Sequence, residues 1–271
     1  MGKKAQIGVK GGAAGRLPGR LLPRAFFEAS PEQVAPRLLG KVLAHKTANG
    51  VLAGRIVEVE AYLGPHNDPP DPAAHAYRGP TPRNSVLFGP AGHAYVYAIY
   101  GRYFCANITC ESEDRAGCVL LRALEPLAGV EQMAVNRSVI PRSPNARELH
   151  PTDEDLSLHP SKQQSLAGDP ESVGTPDLGH PKQLPGRQLT SGPSRLCQAM
   201  GLTRAAHNGI NLLDPTSLLQ VRDDGYTVGE VLVTPRIGIH EAVDWPLRFA
   251  LPGNECVSGG KRLRGSVRRP D

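Results

Sequence analysis

What most restricts the folding of this chain is a series of short strand-like runs separated by turn signals rather than by helices. Runs at 41–47 and 51–62 flank Ala48-Asn49-Gly50, whose Asn-Gly pair suits a tight hairpin. Three more follow at 93–99, 102–110 and 116–125, after a Pro/Gly-rich loop region at 64–92, and others lie at 229–240 and 247–251. Helix signals are fewer. Ser30-Pro31-Glu32-Gln33 reads as a helix start, with Gln33 placed to complete a capping box, Pro36 inside the helix and Gly40 closing it. Glu125-Pro126 opens an amphipathic helix with Leu127, Val130, Met133 and Ala134 on one face. Ser191-Gly192-Pro193-Ser194 starts another, which ends before Gly201. With 30 Gly and 26 Pro among 271 residues, turns are favoured over a helical bundle. The prediction is a single α+β domain, a curved and mainly antiparallel sheet with peripheral helices.

Charge divides the chain. Residues 1–24 carry six basic side chains and no acid, and 261–271 carry five basic side chains and Asp271; the remainder has 25 acidic against 20 basic. The net charge of +5 therefore belongs to the ends. Residues 1–20 and 253–271 are expected to be basic, disordered tails around a domain at 21–252. Such tails suit phosphate without reading sequence, and equally suit solubility alone. Within the domain, 138–186 is poor in apolar residues, rich in Pro, Ser and Asp, and reads as a mobile insertion.

The five cysteines (105, 110, 118, 197, 256) form no C-x-x-C pair. They are expected to be buried free thiols in a reducing, intracellular compartment. No His pairs with Cys at zinc spacing, so no metal is expected. No apolar run reaches 18 residues and no signal-peptide core opens the chain, so no membrane association is expected.

The run Arg55-Ile56-Val57-Glu58-Val59-Glu60-Ala61-Tyr62 is the most informative. Strand side chains alternate, so Val57, Val59 and Ala61 share one face and Glu58, Glu60 and Tyr62 the other. In isolation E-x-E-x-Y reads as the solvated face of an edge strand. Its surroundings single it out. Glu60-Ala61-Tyr62-Leu63-Gly64-Pro65, Ala74-His75, Thr81-Pro82-Arg83-Asn84, the run Tyr95 to Asn107, Val119 to Pro126, Ser191 to Gln198 and Pro246-Leu247-Arg248-Phe249 follow in order. Together these blocks resemble the alkyladenine (3-methyladenine) DNA glycosylases. The resemblance spans about 22–137 and 187–252.

The resemblance implies a fold similar to the C-terminal domain of methionyl-tRNA formyltransferases. It also implies a base-excision repair enzyme acting on double-stranded DNA that contains damaged purines. Glu60 matches the general base, and Arg122 a residue that helps hold the attacking water; Arg122 could otherwise anchor a strand end. Tyr62, His75 and Tyr97 match residues stacked around an everted base, and Asn107 one that disfavours the amino group of undamaged guanine. Tyr100 matches a wedge at a hairpin tip, while Arg102 departs from the family pattern and could add a groove or phosphate contact. Thr81, Arg83, Ser194 and Arg195 match a DNA-facing loop and a helix start suited to phosphate; Arg83 could equally pin its own loop. No lysine aligns with these blocks, which implies a monofunctional enzyme leaving an abasic site. No cofactor is expected, and the protein is expected to act as a monomer inside the cell, with DNA. A non-catalytic nucleic-acid-binding module and a free-nucleoside N-glycosidase are the competing readings.

Overall fold

The computed structural model describes residues 17–138, 186–259 and 265–268. Its spine is a thirteen-residue strand, Gly50–Tyr62, rich in Val, Ile and Leu. The strands, in chain order, are β1 (Arg20–Leu21), β2 (Val42–Thr47), β3 (Gly50–Tyr62), β4 (Ala94–Ile99), β5 (Tyr103–Cys110), β6 (Gly117–Ala128), β7 (Leu219–Asp223), β8 (Val231–Thr234), β9 (Arg248–Ala250) and β10 (Ser266–Arg268). The helices are α1 (Pro31–Leu38), α2 (Val130–Ser138), α3 (Gly186–Leu189), α4 (Pro193–Met200) and α5 (Arg204–His207). The sheet runs β1-β7-β2-β3-β6-β5-β4, and a branch of β9, β8 and β10 leaves it at β3. Every pairing among these strands is antiparallel. An antiparallel sheet with a few helices is what the expected α+β class requires.

The branch determines the site. One edge of β3 pairs first with β2, from Thr47↔Gly50 to Val42↔Arg55, and then with β9, from Glu58↔Ala250 to Glu60↔Arg248. The other edge carries β6. With both edges occupied, Leu52 to Ala61 are buried without interruption. The Glu58–Glu60–Tyr62 side is therefore not the solvated face of an edge strand: both glutamates lie inside the protein. The main core lies beneath this strand, where Ile56, Val59, Leu43, Leu121 and Leu124 meet Val34 and Leu38 of α1. Helix α1 packs on β3 and β6, and α4 on β5 and β6.

Local chemistry explains where the sequence expectations succeed and fail. Ser30 is the N-cap of α1 and Pro31 its first residue, but Ser30 makes no side-chain cap, so the capping box does not form. The Ser30 carbonyl instead accepts the Gln33 and Val34 N–H groups. Helix α4 begins after Gly192 and ends at a left-handed Gly201, as its sequence implies. The helix expected to open at Glu125-Pro126 does not begin there. Strand β6 continues to Ala128, pairing Glu125 with Arg55 and Pro126 with Gly54, and α2 starts only at Val130. β5 accompanies β6 only as far as Leu120, so Pro126 withholds no N–H needed on that edge. In consequence Leu127 and Val130 are exposed, and Met133 alone of that face is fully buried.

The run at 229–240 forms strand only at Val231–Thr234, because Pro235 turns the chain into a loop. The segment beyond 252 was expected as a tail, yet Cys256, Val257 and Ser258 are buried and β10 pairs with β8. Burial of those side chains outweighs a basic, turn-rich composition. Of the expected N-terminal tail only 17–20 are described, with Arg20 paired to Asp223. The insertion expected at 138–186 lies outside the described residues except for its two end residues. All five cysteines are buried and free, and no helix among the described residues is long and apolar enough to cross a membrane.

Candidate active site

The site begins with two register shifts between β3 and β6. Pairing steps from Ile56↔Leu124 to Glu58↔Ala123, then to Val59↔Leu121, so Val57 on one strand and Arg122 on the other are left without a partner. Bulges of this kind re-aim side chains. Here Arg122 is turned toward Glu58 and Glu60, which share one side of β3. Its Nε donates to Glu58 Oε1 at 2.8 Å, and its Nη1 lies 3.1 Å from Glu60 Oε1. All three side chains have 0% exposure. Burial works against the charge on Arg122, but Glu60 and Glu58 outweigh it and hold the guanidinium above its ordinary pKa. Burial pushes the Glu58 carboxyl up, while Arg122, Arg248 and Ser258 together bring it below its ordinary value.

Glu60 is held from three directions. Besides Arg122, the Ile237 N–H donates to Oε1 at 2.8 Å and the Tyr62 hydroxyl to Oε2 at 3.0 Å. Burial and then the Glu60 charge raise the Tyr62 phenol well above its ordinary pKa, so it remains a donor. The Arg236 guanidinium lies 4.6 Å from the Tyr62 ring centroid. It is held by both oxygens of the buried Asp71 and by the Ala61 carbonyl. Asp71 also accepts the Leu63 and Ala73 N–H groups. This pair ties the loop after β3 to the loop after β8.

In front of Tyr62 opens a narrow cleft of about 40 Å³ lined by Tyr62, His75, Tyr95, Tyr97, Asn107 and the loop Ile237–Ile239. Glu60 is not in the lining; it sits behind Tyr62 and Ile237, which are. The His75 ring meets Tyr97 at 4.5 Å and 65°, and its Nδ1 shares a 2.9 Å hydrogen bond with the Tyr95 hydroxyl. Burial, followed by the nearby Arg83 charge, pushes His75 down to about 4, so the ring is neutral at pH 7. Asn107 Nδ2 donates to the Tyr95 carbonyl at 3.2 Å, and its Oδ1 faces the Cys118 thiol at 3.8 Å. Behind Tyr97, burial raises the Cys105 thiol to about 11, against hydrogen bonds with Tyr97 and Ser194.

The remaining sequence-selected residues surround this centre. Tyr100, Gly101 and Arg102 form the tip of the β4–β5 hairpin, where Tyr100 is 56% exposed in a left-handed conformation (φ 49°). Gly101 follows at φ 71°, which only glycine adopts freely. The Arg102 guanidinium lies 5.2 Å from the Tyr103 ring centroid. Thr81 is fixed by the buried Asn84, whose Oδ1 accepts both its N–H and its hydroxyl. Asn84 also donates to the carbonyls of His75 and Gly79. Arg83 donates to the Ala98 carbonyl at 3.3 Å, which ties its loop to the hairpin rather than to itself. Ser194 and Arg195 stand in the first turn of α4; Arg195 lies near Arg137, whose guanidinium burial and that neighbour push down to about 10.

Glu60, Arg122, Tyr62, His75, Tyr97 and Asn107 thus come together, Ser194 reaches Tyr97 only through Cys105, and Tyr100, Arg102, Thr81, Arg83 and Arg195 lie outside the set. Sequence reasoning passed over Tyr95, Asp71, Arg236, Arg248 and Ser258. Tyr95 and Arg248 were inside the quoted blocks and had no role assigned. Asp71 lay in a Pro-rich loop and Ser258 in an expected tail, where nothing marked them.

The profile described as "Methylpurine-DNA glycosylase (MPG)" matches residues 25–255. A Koribacter versatilis protein is 43% identical over 242 residues, covering 89% of this chain and 95% of its own. A Burkholderia lata protein is 40% identical over 251 residues, covering 92% and 97%. One from Methanoculleus marisnigri is 40% identical over 241 residues, covering 88% and 98%. All three carry the provisional name 3-methyladenine DNA glycosylase. The chain belongs to the methylpurine-DNA glycosylase family.

Proposed function

We propose that this protein is a monofunctional base-excision repair glycosylase. It everts alkylated or otherwise damaged purines, 3-methyladenine among them, from double-stranded DNA and removes them by hydrolysis. The observation that carries this reading is the Glu60 carboxylate, bonded to Tyr62 and Ile237 of the aromatic cleft and paired with Arg122 behind it. The everted base stacks between Tyr62 and the His75–Tyr97 pair as the narrow cleft widens around it. Glu60 takes a proton from water as the water oxygen bonds to the sugar C1′; the glycosidic bond breaks and its electron pair leaves with the base. The oxocarbenium-like charge at C1′ is opposed by the same carboxylate. Because Glu60 is closed to solvent, the attacking water reaches it only as the Tyr62–Ile237 wall adjusts around the everted nucleotide.

Asn107 opposes the guanine amino group at the edge of the slot, and Tyr100 fills the space that the base leaves. Arg102, Thr81, Arg83, Ser194 and Arg195 hold the sugar-phosphate backbone. Among the described residues no lysine lines the cleft, which favours hydrolysis to an abasic site over Schiff-base chemistry. The enzyme works as a monomer, with DNA, inside the cell, on a fold like the formyltransferase C-terminal domain.

The test is release of 3-methyladenine from alkylated duplex DNA. Glu60→Gln is expected to lower single-turnover release by about 1,000-fold while lesion binding persists. Retained turnover would remove Glu60 from the base role. Binding without release by the native protein would favour a binding module, and faster cleavage of the free modified nucleoside would favour a nucleoside hydrolase.

A further inference from the structure

The strand Glu58-Val59-Glu60 presents two carboxylates to one arginine, and the two are bonded very differently. Glu58 Oε1 accepts Arg122 Nε at 2.8 Å, Arg248 Nε at 2.7 Å and the Ser258 hydroxyl at 2.7 Å; Oε2 accepts the Ser258 N–H at 2.6 Å. Among the described residues, Glu60 instead accepts the Tyr62 hydroxyl on Oε2 and the Ile237 N–H on Oε1, both from the wall of the cleft. The donors to Glu58 are Arg122, Arg248 and Ser258, which do not line the cleft.

We propose that Glu58, braced by Arg248 and Ser258, is the positioning residue that fixes Arg122 against Glu60. The inference rests on the reading of Glu60 and Arg122 as the reacting pair. A guanidinium is a rigid planar fork, so fixing two of its nitrogens fixes the third. Glu58 holds Nε, the Ser258 hydroxyl lies 3.3 Å from Nη2, and Nη1 is thereby aimed at Glu60. Arg248 is fixed in turn by Thr234 at 3.2 Å and by the Ser258 carbonyl at 2.8 Å, so the brace does not yield.

Charge works with geometry. Glu58 shares Arg122 with Glu60 and neutralises Arg248, so the buried set holds two carboxylates and two guanidinium groups. A salt bridge that served stability alone would leave the turnover of the folded protein unchanged.

The experiment measures single-turnover base release, lesion-duplex Kd and thermal stability for the full chain and for Glu58→Gln, Glu58→Asp and Ser258→Ala. Glu58→Gln is expected to slow release by about 100-fold and to leave Kd within about threefold. Glu58→Asp keeps the charge, so part of the rate returns. Ser258→Ala keeps all charges and loosens the brace, costing about tenfold in rate. A folded Glu58→Gln protein with native rate overturns the proposal. If that variant does not fold, Ser258→Ala decides, and a native rate there overturns it too. Absence of release by the native chain would sink the glycosylase reading itself, whereas native release with unaffected variants sinks only the role of Glu58.

Discussion

The floor of the cleft and the hairpin beyond its wall are built in opposite ways. At the floor Glu58, Glu60, Arg122 and Arg248 are almost wholly out of water, joined by contacts of 2.7 to 3.1 Å from three strands. At the hairpin Tyr100 is more than half exposed, on a left-handed residue where most side chains are disfavoured. The floor is fixed before any ligand arrives, which is what electrostatic preorganisation requires. The hairpin holds a large ring in the open at a cost in backbone strain. Burial and pairing go together at the floor, exposure and strain at the tip.

The largest effect should come from Arg122→Met. It leaves Glu58 and Glu60 buried without their shared cation, and removing one partner of a buried pair costs about 3–5 kcal/mol. The expected result is a melting temperature lower by roughly 10 °C, read by calorimetry; an unchanged midpoint would mean that the floor is not a coupled unit. Tyr100→Gly should move in the other direction. Relief of the left-handed strain is worth about 1 kcal/mol, or roughly 2–4 °C of midpoint, while loss of the ring should weaken lesion-duplex binding by about 10- to 100-fold. A destabilised Tyr100→Gly protein would erase the contrast between the two regions.

The smallest effect concerns His75, which stands between them. Its folded-state pKa of about 4 lies below the ordinary 6.5, so between those values the unfolded chain binds a proton that the native state refuses. Stability is therefore complete above about pH 6.5 and declines as pH falls toward 4. His45 and His207 are also depressed, each mainly by burial, and act in the same direction. Comparing midpoints at pH 7 and pH 5, His75→Asn should lose less than the native protein, by about 1 kcal/mol. An equal loss would place the acid sensitivity in the other two histidines.

Much of this was legible in the chain because local rules and global packing agree there. The Asn49-Gly50 turn, the β4–β5 hairpin and the Gly192-to-Gly201 helix each carry their own signals and form where those signals stand. Strand alternation correctly put Glu58 and Glu60 on one side. It could not show that β9 covers the same edge of β3 after β2 departs, because that pairing links residues 190 positions apart in sequence. The displaced start of α2 has the same origin: Pro126 reads as a helix opening until β3 is known to pair with it. The cleft aromatics stood out in the sequence blocks. The Asp71–Arg236 pair behind Tyr62 did not, since a loop aspartate and an arginine after Pro235 acquire meaning only when two loops meet.

Ser258 reaches Glu58 across 200 positions of chain. During synthesis, the strand bearing both carboxylates emerges long before the segment that clamps them. A product ending after β9 would retain every ring of the slot, yet Arg122 would have lost one of its tethers. The placement of Arg122 against Glu60 is thus completed only by a segment that follows β9 in the chain.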